Sequence, residues 1–254
     1  MMSESQCRIA QFSDLHLTSS DGGLLKGIDC WAQLHKMLDH LERQPPVHGL
    51  VITGDVAHDE TKETYERLHL ALRERTIPFW LVPGNHDDPG LMREVFTHQL
   101  VDGLDSMSFR AVVENVLILG LDTHEPGSDG GNIRQETMAW FFGECSGKPE
   151  GPILVFMHHP PLDTGDDFFD TIGLRDRVSF FEKTKGYPQI RGIGFGHLHR
   201  SLPLHEEPWV QGAPSSAFGM KKNVAGWERR TEEAGYLIWS VDTQNVKTEV
   251  LGLD

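Results

Sequence analysis

Five short segments of the sequence carry side chains of the types that bind metal ions. The candidate ligands are two aspartates, one asparagine and four histidines: Asp14, Asp55, Asn85, His16, His158, His197 and His199. Carboxylate, amide and imidazole donors without a thiolate suit Mn, Fe, Zn, Co or Ni, whereas Mg or Ca would be held mainly by oxygen atoms. The donor types therefore predict a transition-metal site.

The number of candidate ligands is larger than one tetrahedral ion needs. If one carboxylate bridges two ions, the same set forms two sites about 3.5–4 Å apart, which is the spacing of two-metal hydrolases. Two divalent ions outweigh the charge of two carboxylates, so the site would attract an anionic phosphoester and help to ionise a bound water. The predicted chemistry is hydrolysis of a phosphoester.

Each ligand segment directly follows an apolar run that predicts a β-strand. The five runs are residues 8–12, 49–53, 79–82, 153–157 and 190–195, and they have the β-branched and aromatic composition of strands. In open α/β sheets, ligands bind at the carboxyl ends of the strands. We therefore expect the five strand ends to converge on one cleft.

Residue spacing within the segments adds two expectations. In Asp14-Leu15-His16 and His197-Leu198-His199 the polar residues are two apart, so an extended chain would point both toward the cleft and the leucine toward the core. Gly54, Gly84 and Gly196 precede ligands, where we expect tight turns or close backbone contacts.

The rest of the chain predicts a single α/β domain over residues 1–254, with two packed β-sheets flanked by helices. Further strands are expected at 106–110, 116–121, 209–210, 236–241 and 246–251, and helices after Asp29, from Thr61 to Arg75, and at 91–100, 135–145 and 174–183. Alternating strands and helices in the first 120 residues predict parallel βαβ units, and the strand-only last 60 predict a second, more antiparallel sheet. Long loops are expected at 122–132, 163–173 and 212–231.

Composition limits the partners of the protein. The chain has 254 residues and a net charge of −15, from 23 Lys and Arg against 38 Asp and Glu. Such an acidic protein is poorly suited to bind a nucleic-acid polymer. Three widely spaced cysteines and the lack of a signal peptide or an apolar span of about 20 residues predict a cytoplasmic protein without a membrane partner.

Each ligand segment also has a purely structural explanation when taken alone. Asp14 could cap a turn, Gly54-Asp55 is a common turn, and His158-His159 before two prolines could form a rigid loop. Five such segments at five predicted strand ends are hard to obtain from packing alone, which favours the metal site. His159 is expected to pack against its neighbour or to orient it, and His58 and His124 lie on loops that could face the cleft. Six others are interpreted as surface or core-edge residues: His35, His40, His48, His69, His98 and His205.

Together the five segments resemble the motif set of the calcineurin-like metallophosphoesterases, over residues 14–199. The resemblance implies a four-layer sandwich of two mixed sheets and flanking helices, with two metal ions, Mn, Fe or Zn. The implied ligands of the first ion are Asp14, His16, Asp55 and His199, and those of the second are Asp55 (bridging), Asn85, His158 and His197. His86 matches the histidine that contacts the phosphate or protonates the leaving oxygen, so His86 is the predicted catalytic residue, and Asn85 and His86 are the predicted substrate-binding residues.

Within this family, the sequence resembles the bacterial class III cyclic-nucleotide phosphodiesterases. The resemblance rests on the length, on Asp122-Thr123 before a Gly-rich loop, on the helix at 135–142 and on Gly212-Ala213-Pro214-Ser215-Ser216. It implies that a metal-bound hydroxide attacks a small phosphodiester in line, with a 3′,5′-cyclic nucleotide such as cyclic AMP as substrate, and it suggests a homodimer. The alternatives are a glycerophosphodiester or other cyclic-phosphate phosphodiesterase and, with less support because the ligand set is complete, a non-catalytic binding scaffold.

Overall fold

The computed structural model describes residues 6–20, 22–147, 151–223 and 226–253. The strands are β1 Cys7–Phe12, β2 Gly49–Thr53, β3 Phe79–Val82, β4 Phe109–Val113, β5 Val116–Leu121, β6 Ile153–Met157, β7 Ile190–Phe195, β8 Leu202–Glu206, β9 Trp209–Gly212, β10 Gly219–Asn223, β11 Gly226–Arg230, β12 Gly235–Val241 and β13 Val246–Gly252. The helices are α1 Cys30–Arg43, α2 Lys62–Arg73, α3 Pro89–Val95, α4 Gln135–Ser146, α5 Asp167–Thr171 and α6 Arg177–Thr184, with 3-10 turns at Thr97–Gln99 and Thr231–Glu233.

The strands form two mixed sheets and a separate hairpin. One sheet has the order β13-β12-β1-β2-β3, the other has the order β4-β5-β6-β7-β9-β8, and β10 pairs with β11. The parallel pairing of β1, β2 and β3 confirms the predicted βαβ units. The expectation that the last 60 residues build a second, more antiparallel sheet is correct for β8 and β9, which pair antiparallel in the second sheet. It is wrong for β12 and β13, which return to the first sheet, where β12 pairs antiparallel with β1.

Side chains alternate between the two faces of each strand, so apolar side chains fill three cores. These cores lie between the two sheets and between each sheet and the helices that cover it. On β1, Ala10 and Phe12 belong to the core that includes α1 and α2, whereas Cys7 and Ile9 belong to the core between the two sheets. A third core joins the second sheet to α4 and α6. Successive side chains of a strand point to opposite faces, so each sheet is covered on both sides.

Several predicted boundaries are wrong for local reasons. The strand expected at 106–110 begins only at Phe109, because the Ser106 carbonyl accepts from Arg93 and the Met107 N–H donates to the Asp122 carboxylate. The helix expected at 91–100 begins at Pro89, a favoured first helical residue, and ends at Val95.

The three predicted loops differ in content. Residues 122–132 contain no helix or extended strand, whereas residues 163–173 include α5 and residues 212–231 include the β10–β11 hairpin, with 224–225 outside the described residues. Side-chain hydrogen bonding explains α5, since the Asp166 carboxylate accepts from the Phe168 N–H and caps the helix.

The carboxyl ends of β1, β2, β3, β6 and β7 meet at one edge of the sandwich. A buried glutamine of β1 helps to hold the two sheets in this arrangement. Gln11 Nε2 donates to Thr53 Oγ1 at 3.0 Å and to the Phe195 carbonyl at 3.1 Å, and Trp239 Nε1 donates to Gln11 Oε1 at 2.8 Å. The expected convergence therefore occurs, with strand ends contributed by both sheets.

Candidate metal centre

The turns that follow the strands hold predicted ligands in left-handed backbone conformations. The φ angle is 52° at Asp14, 47° at His16, 50° at Asp55, 70° at His197 and 54° at His199. Such values are uncommon for residues other than glycine and persist only where the surroundings impose them, often at active sites. Hydrogen bonds between the turns provide this restraint, from Asp14 N to the Gly54 carbonyl at 3.0 Å and from His16 N to the Asp55 carbonyl at 2.9 Å.

This backbone corrects the predicted extended geometry of Asp14-Leu15-His16 and His197-Leu198-His199. The strand ladders stop at Phe12 and Phe195, and the turns bond to each other instead, so strand periodicity no longer applies. Leu15 and Leu198 nevertheless point into the helix-side cores, as expected.

Gly54 and Gly84 allow two of these turns to approach closely. A Cβ at residue 84 would lie 2.1 Å from Asp55 Oδ1, and a Cβ at residue 54 would lie 2.6 Å from His158 Nδ1. Gly54 also has a φ of +84°, which costs glycine little. The predicted close contacts before Asp55 and Asn85 are confirmed.

Four predicted ligands meet in one buried group. The donor atoms of this group lie within 4.8 Å of one another and come from Asp14, His16, Asp55 and His199. His16 Nε2 is 3.0 Å from His199 Nε2 and 3.7 Å from Asp55 Oδ2. His199 Nε2 is also 3.5 Å from Asp14 Oδ1. A cation among these atoms would satisfy their lone pairs together.

A second group lies beside Asp55. Asn85 Oδ1 is 3.1 Å from both His158 Nε2 and His197 Nδ1, and these two ring nitrogens are 3.2 Å apart. His158 Nε2 is 3.4 Å from Asp55 Oδ1. The two oxygens of Asp55 therefore face different groups, which is the arrangement a bridging carboxylate needs.

Backbone carbonyls orient two of the histidines. His158 Nδ1 is 2.8 Å from the Thr53 carbonyl, and His199 Nδ1 is 3.0 Å from the Phe218 carbonyl. Because a carbonyl only accepts, each Nδ1 carries the proton and donates it, which leaves the Nε2 lone pair directed into the site. Metal-binding histidines are commonly fixed by such partners.

Electrostatics favour the metal-binding forms of most of these side chains. Burial lowers the pKa of His197 to about 3 and the pKa of His16 well below its ordinary value. Burial acts to raise the pKa of Asp55, but His158 and His16 outweigh it and lower the pKa. Burial raises the pKa of Asp14, an effect that a neighbouring cation would oppose. Neutral imidazole and ionised carboxylate are the forms that bind metal.

These residues fit a pair of transition-metal cations. The nitrogen and oxygen donors converge from five turns, and two buried carboxylates supply negative charge that would be costly without a positive partner. The donor types match Mn, Fe or Zn.

His86 lies at the rim of both groups. Its backbone N–H donates to Asp55 Oδ1 at 3.0 Å. Its ring is half-buried, and the ring centroid is 5.3 Å from the ring centroids of His16 and His58. His58 and His86 line the cavity that contains the candidate ligands. His124 lines a second cavity, which adjoins the first at His86.

His159 is held by the protein through both ring nitrogens, although it lies next to His158 and His197. Nδ1 is 2.8 Å from Thr123 Oγ1, and Nε2 is 3.2 Å from the Asp129 carbonyl. The side chain thus fastens the 122–132 loop to the end of β6, a role that was not predicted. Its ring also stands edge-on to that of His158, with centroids 4.9 Å apart, as the predicted packing against its neighbour requires. The six histidines assigned to the surface or core edge line neither cavity.

Sequence reasoning missed the roles of two residues that position the turns. The Asp87 carboxylate accepts from the N–H groups of Gly84, Val56 and Ala57 at 2.8, 3.1 and 2.9 Å, and so joins the turns after β2 and β3. Ser215 Oγ donates to the Asp14 carbonyl at 2.8 Å. A side chain that binds backbone amides or carbonyls has no characteristic spacing, so sequence offered no signal for the role of either.

Two cavities meet at Asn85, His86 and Asp129. The ligand cavity, about 320 Å³, contains metal-binding side chains and is walled in part by Phe168 and Phe169. The loop cavity, about 770 Å³, runs along residues 122–132 and is lined mainly by charged and polar side chains.

Comparison with known sequences identifies similar proteins. A family model described as calcineurin-like phosphoesterase matches residues 7–201. The chain is 29% identical to the 3′,5′-cyclic adenosine monophosphate phosphodiesterase CpdA of Pseudomonas aeruginosa, over 86% of this chain and 83% of the relative. It is 32% identical to a probable cyclic nucleotide phosphodiesterase of Synechococcus, over 76% of this chain and 74% of the relative. It is 28% identical to the probable glycerophosphodiester phosphodiesterase GpdQ of Arcobacter nitrofigilis, over 76% and 71%.

Solved structures share the fold. A dimetal phosphatase from Danio rerio aligns with a TM-score of 0.67 at 11% identity, over 97% of this chain and 96% of the other. A purple acid phosphatase from yellow lupin seeds aligns with a TM-score of 0.64 at 13% identity, over 98% and 52%. These likenesses confirm the predicted fold class of two mixed sheets with flanking helices. Among the helices of the described residues, none has both the length and the apolar character needed to span a membrane.

Proposed function

The chain belongs to the calcineurin-like phosphoesterase family, and we propose that it hydrolyses a 3′,5′-cyclic nucleotide, with cyclic AMP as the leading substrate. It is a metal-dependent phosphodiester hydrolase, as the family and the named phosphodiesterases among its relatives indicate. The observation that carries the metal-dependent reaction is the position of Asp55, whose Oδ2 faces His16 and whose Oδ1 faces His158. The similarity to named cyclic-nucleotide phosphodiesterases supports the substrate.

The proposed metal ligands follow from the two groups of side chains. Asp55 would contribute to both sites; the other ligands would be Asp14, His16 and His199 on one side and Asn85, His158 and His197 on the other. When bound, two such cations supply positive charge for the phosphate and the water-activating chemistry of a two-metal hydrolase. The hydrogen bonds between the turns fix the donors before substrate arrives.

Asn85 and His86 are the proposed substrate-binding residues. Asn85 directs Oδ1 toward His158 and His197, so its amide nitrogen points away from them and can donate to a non-bridging phosphate oxygen. His86 is half-buried where the two cavities meet. A ring nitrogen there can donate a proton to the leaving oxygen, which is the role we assign to His86 as general acid.

A glycerophosphodiester is the second candidate substrate, favoured by the similarity to the relative named GpdQ. Both candidates are small phosphodiesters and would use the same metal centre. The walls of the cavities, rather than the ligands, must distinguish them.

Finer features belong to the same proposal. We propose Mn, Fe or Zn as the ions, one domain over residues 1–254, a homodimer, a cytoplasmic location and no nucleic-acid polymer as partner. The free, buried state of Cys7, Cys30 and Cys145 suits a reducing compartment. Elemental analysis of the purified protein and light scattering after gel filtration test the ions and the oligomeric state.

A substrate panel tests the proposed reaction. The Mn-reconstituted protein is assayed with 3′,5′-cyclic AMP, 2′,3′-cyclic AMP, glycerophosphocholine, bis(p-nitrophenyl) phosphate and p-nitrophenyl phosphate. We expect diester turnover that a chelator abolishes, with 3′,5′-cyclic AMP the best natural substrate. A higher kcat/KM for glycerophosphocholine than for cyclic AMP would show that the substrate is a glycerophosphodiester. A protein that turns over none of the diesters would contradict the proposed hydrolysis.

A further inference from the structure

We propose that the nucleobase of the substrate stacks on Phe168, which makes Phe168 a specificity-determining residue; this inference rests on the proposed function. Among the Phe, Trp and Tyr side chains whose exposure the structure describes, Phe168 alone is exposed, at 54%. It lines the ligand cavity together with His16, His197 and His199. An exposed aromatic ring beside reactive groups indicates a binding surface.

The loop that carries Phe168 is held in shape by its own hydrogen bonds. The Asp166 carboxylate accepts from Phe168 N at 3.1 Å and caps α5. Asp170 Oδ1 accepts from Thr164 N at 2.6 Å and from Thr164 Oγ1 at 2.7 Å. These bonds fix the backbone under the exposed ring, so that a ligand need not order it.

A buried neighbour links this ring to the metal centre. The ring centroids of Phe168 and Phe169 are 5.4 Å apart, and the Phe169 ring stands edge-on to His197 at 5.9 Å. Phe169 is buried. The distance from the stacking surface to the reacting phosphate is therefore set by packed rings, as recognition of both ends of one nucleotide requires.

The loop cavity is less suited to a nucleobase. No Phe, Trp or Tyr occurs among the described residues that line it, and six of those residues are carboxylic acids: Glu60, Asp87, Asp88, Asp105, Asp122 and Asp129. Its two arginines already have partners, Arg93 with the Leu104 and Ser106 carbonyls and Arg134 with Asp122. An uncharged base gains most from the aromatic wall on the other side of His86.

Stacking also predicts the kind of selectivity. Every base presents a π-face, so a stacking ring discriminates nucleotides from diesters without a base but discriminates weakly among bases. Phe168 would thus favour cyclic nucleotides over glycerophosphodiesters at a metal centre that can cleave both.

The test compares 3′,5′-cyclic AMP with the same cyclic phosphate of 1-deoxyribose, which lacks the base. We expect Phe168→Ala to lower kcat/KM for cyclic AMP by about 10-fold or more and to change that for the base-free ester by about twofold at most. Phe168→Trp restores the preference for cyclic AMP. The control Val178→Ala, at an exposed position on α6 that lines neither cavity, leaves both values unchanged.

Two results would overturn the inference. Equal losses on both esters would mean that Phe168 only supports the metal centre through Phe169. Unchanged values on both would mean that the exposed ring does not contact the base.

A second measurement separates this inference from the proposed substrate. AMP and ribose 5-phosphate are compared as competitive inhibitors of the hydrolysis of bis(p-nitrophenyl) phosphate. If wild type cleaves this diester but not cyclic AMP, the proposed substrate fails. Stronger inhibition by AMP that Phe168→Ala removes would still support stacking, whereas equal inhibition of wild type by both compounds would overturn it.

Discussion

The turns that carry the candidate ligands and the loops that wall the cavities are held in different ways. The turns bond to one another through buried backbone groups and through Asp87, which accepts N–H groups of two turns. The loop at 122–132 is fastened partly through the buried His159, whereas the loop at 163–173 depends more on local side-chain turns and on the exposed ion pair of Arg177 with Asp163 at 2.5 Å.

Because of this difference, the residues that carry out the reaction can be changed separately from those that select the substrate. A change in a ligand turn displaces several donors at once, because each turn is bonded to the next. A change in a loop alters one wall and leaves the donors in place. Exposed ion pairs add little stability, so the 163–173 loop can vary in sequence around a fixed metal centre.

The largest expected effect is at Asp55. Asp55→Asn keeps an acceptor for the His86 N–H but removes the charge and one anionic oxygen from a side chain that faces both groups. We expect turnover of diesters to fall by about 10³-fold or more and bound metal to drop from two ions to one or none. Steady-state kinetics and elemental analysis measure these changes.

A surface carboxylate serves as the matched control. Asp39→Asn removes an exposed partner of Arg75 and should leave activity and metal content unchanged. An Asp55→Asn protein that is folded by circular dichroism and retains wild-type turnover would contradict the proposed bridging role.

Two glycines test the contrast between turn and loop directly. Gly84→Ala would place a methyl group 2.1 Å from Asp55 Oδ1, and displacing that side chain by about 1 Å should cost about 10²-fold in kcat/KM. Gly165→Ala, in the 163–173 loop, meets nothing within 4 Å but has a φ of +76°. It should cost about 1–2 kcal/mol in the free energy of unfolding and leave kcat/KM within about twofold of wild type.

Chemical denaturation and kinetics on both glycine variants provide the comparison. If Gly165→Ala lost as much activity as Gly84→Ala after correction for folded protein, the separation of reaction from selectivity would be wrong.

His86 lies between the two regions and should show an intermediate effect. His86→Ala removes the ring but keeps the N–H that donates to Asp55, so both ions should remain bound. Loss of a general acid lowers kcat by about 10²-fold or more. The loss should be smaller for bis(p-nitrophenyl) phosphate, whose leaving group needs no proton, than for cyclic AMP. An equal loss on both esters, or a loss of metal, would contradict the role as acid.

Much of the site could be predicted from sequence because donor types and strand ends are both local features. Asp14, Asp55 and His197 follow apolar runs that form strands, and the strands of both sheets end at one edge. The family relation, read from the same segments, is confirmed by the match over residues 7–201.

The unpredicted features depend on contacts between distant segments. The apolar run of β12 and the alternating pattern of β13 fit either sheet, and only pairing of β12 with β1 decides between them. The left-handed turns at Asp14 and His197 arise from bonds between chain segments far apart in sequence, from Asp14 N to the Gly54 carbonyl and from His197 N to the Asp14 carboxylate. The spacing of residues within one segment does not indicate which distant segment will bond to it.

The smallest expected effect lies just outside the ligand turns, at Asp59. Its Oδ2 accepts from Ser19 N at 2.5 Å, and its Oδ1 accepts from Thr64 Oγ1 at 2.8 Å, which ties the segment after His16 to the start of α2. Partial burial acts to raise the pKa of Asp59, but these hydrogen bonds and that from Thr61 outweigh it and lower the pKa. Asp59→Asn should reduce the free energy of unfolding at pH 7 by about 1 kcal/mol.

The sign of the pH dependence follows from the lowered pKa. The ionised carboxylate stabilises the fold fully above its unfolded pKa of about 3.9, and this contribution is lost as pH falls through the lower folded value. The difference between wild type and Asp59→Asn should therefore be constant from pH 7 to about pH 5 and shrink below about pH 4, as urea unfolding at each pH would measure. A difference that grows as the pH falls would show that the hydrogen bonds do not favour the ionised form. Diester turnover at pH 7 should stay within about twofold of wild type, because Asp59 lines neither cavity and bonds to none of the candidate ligands.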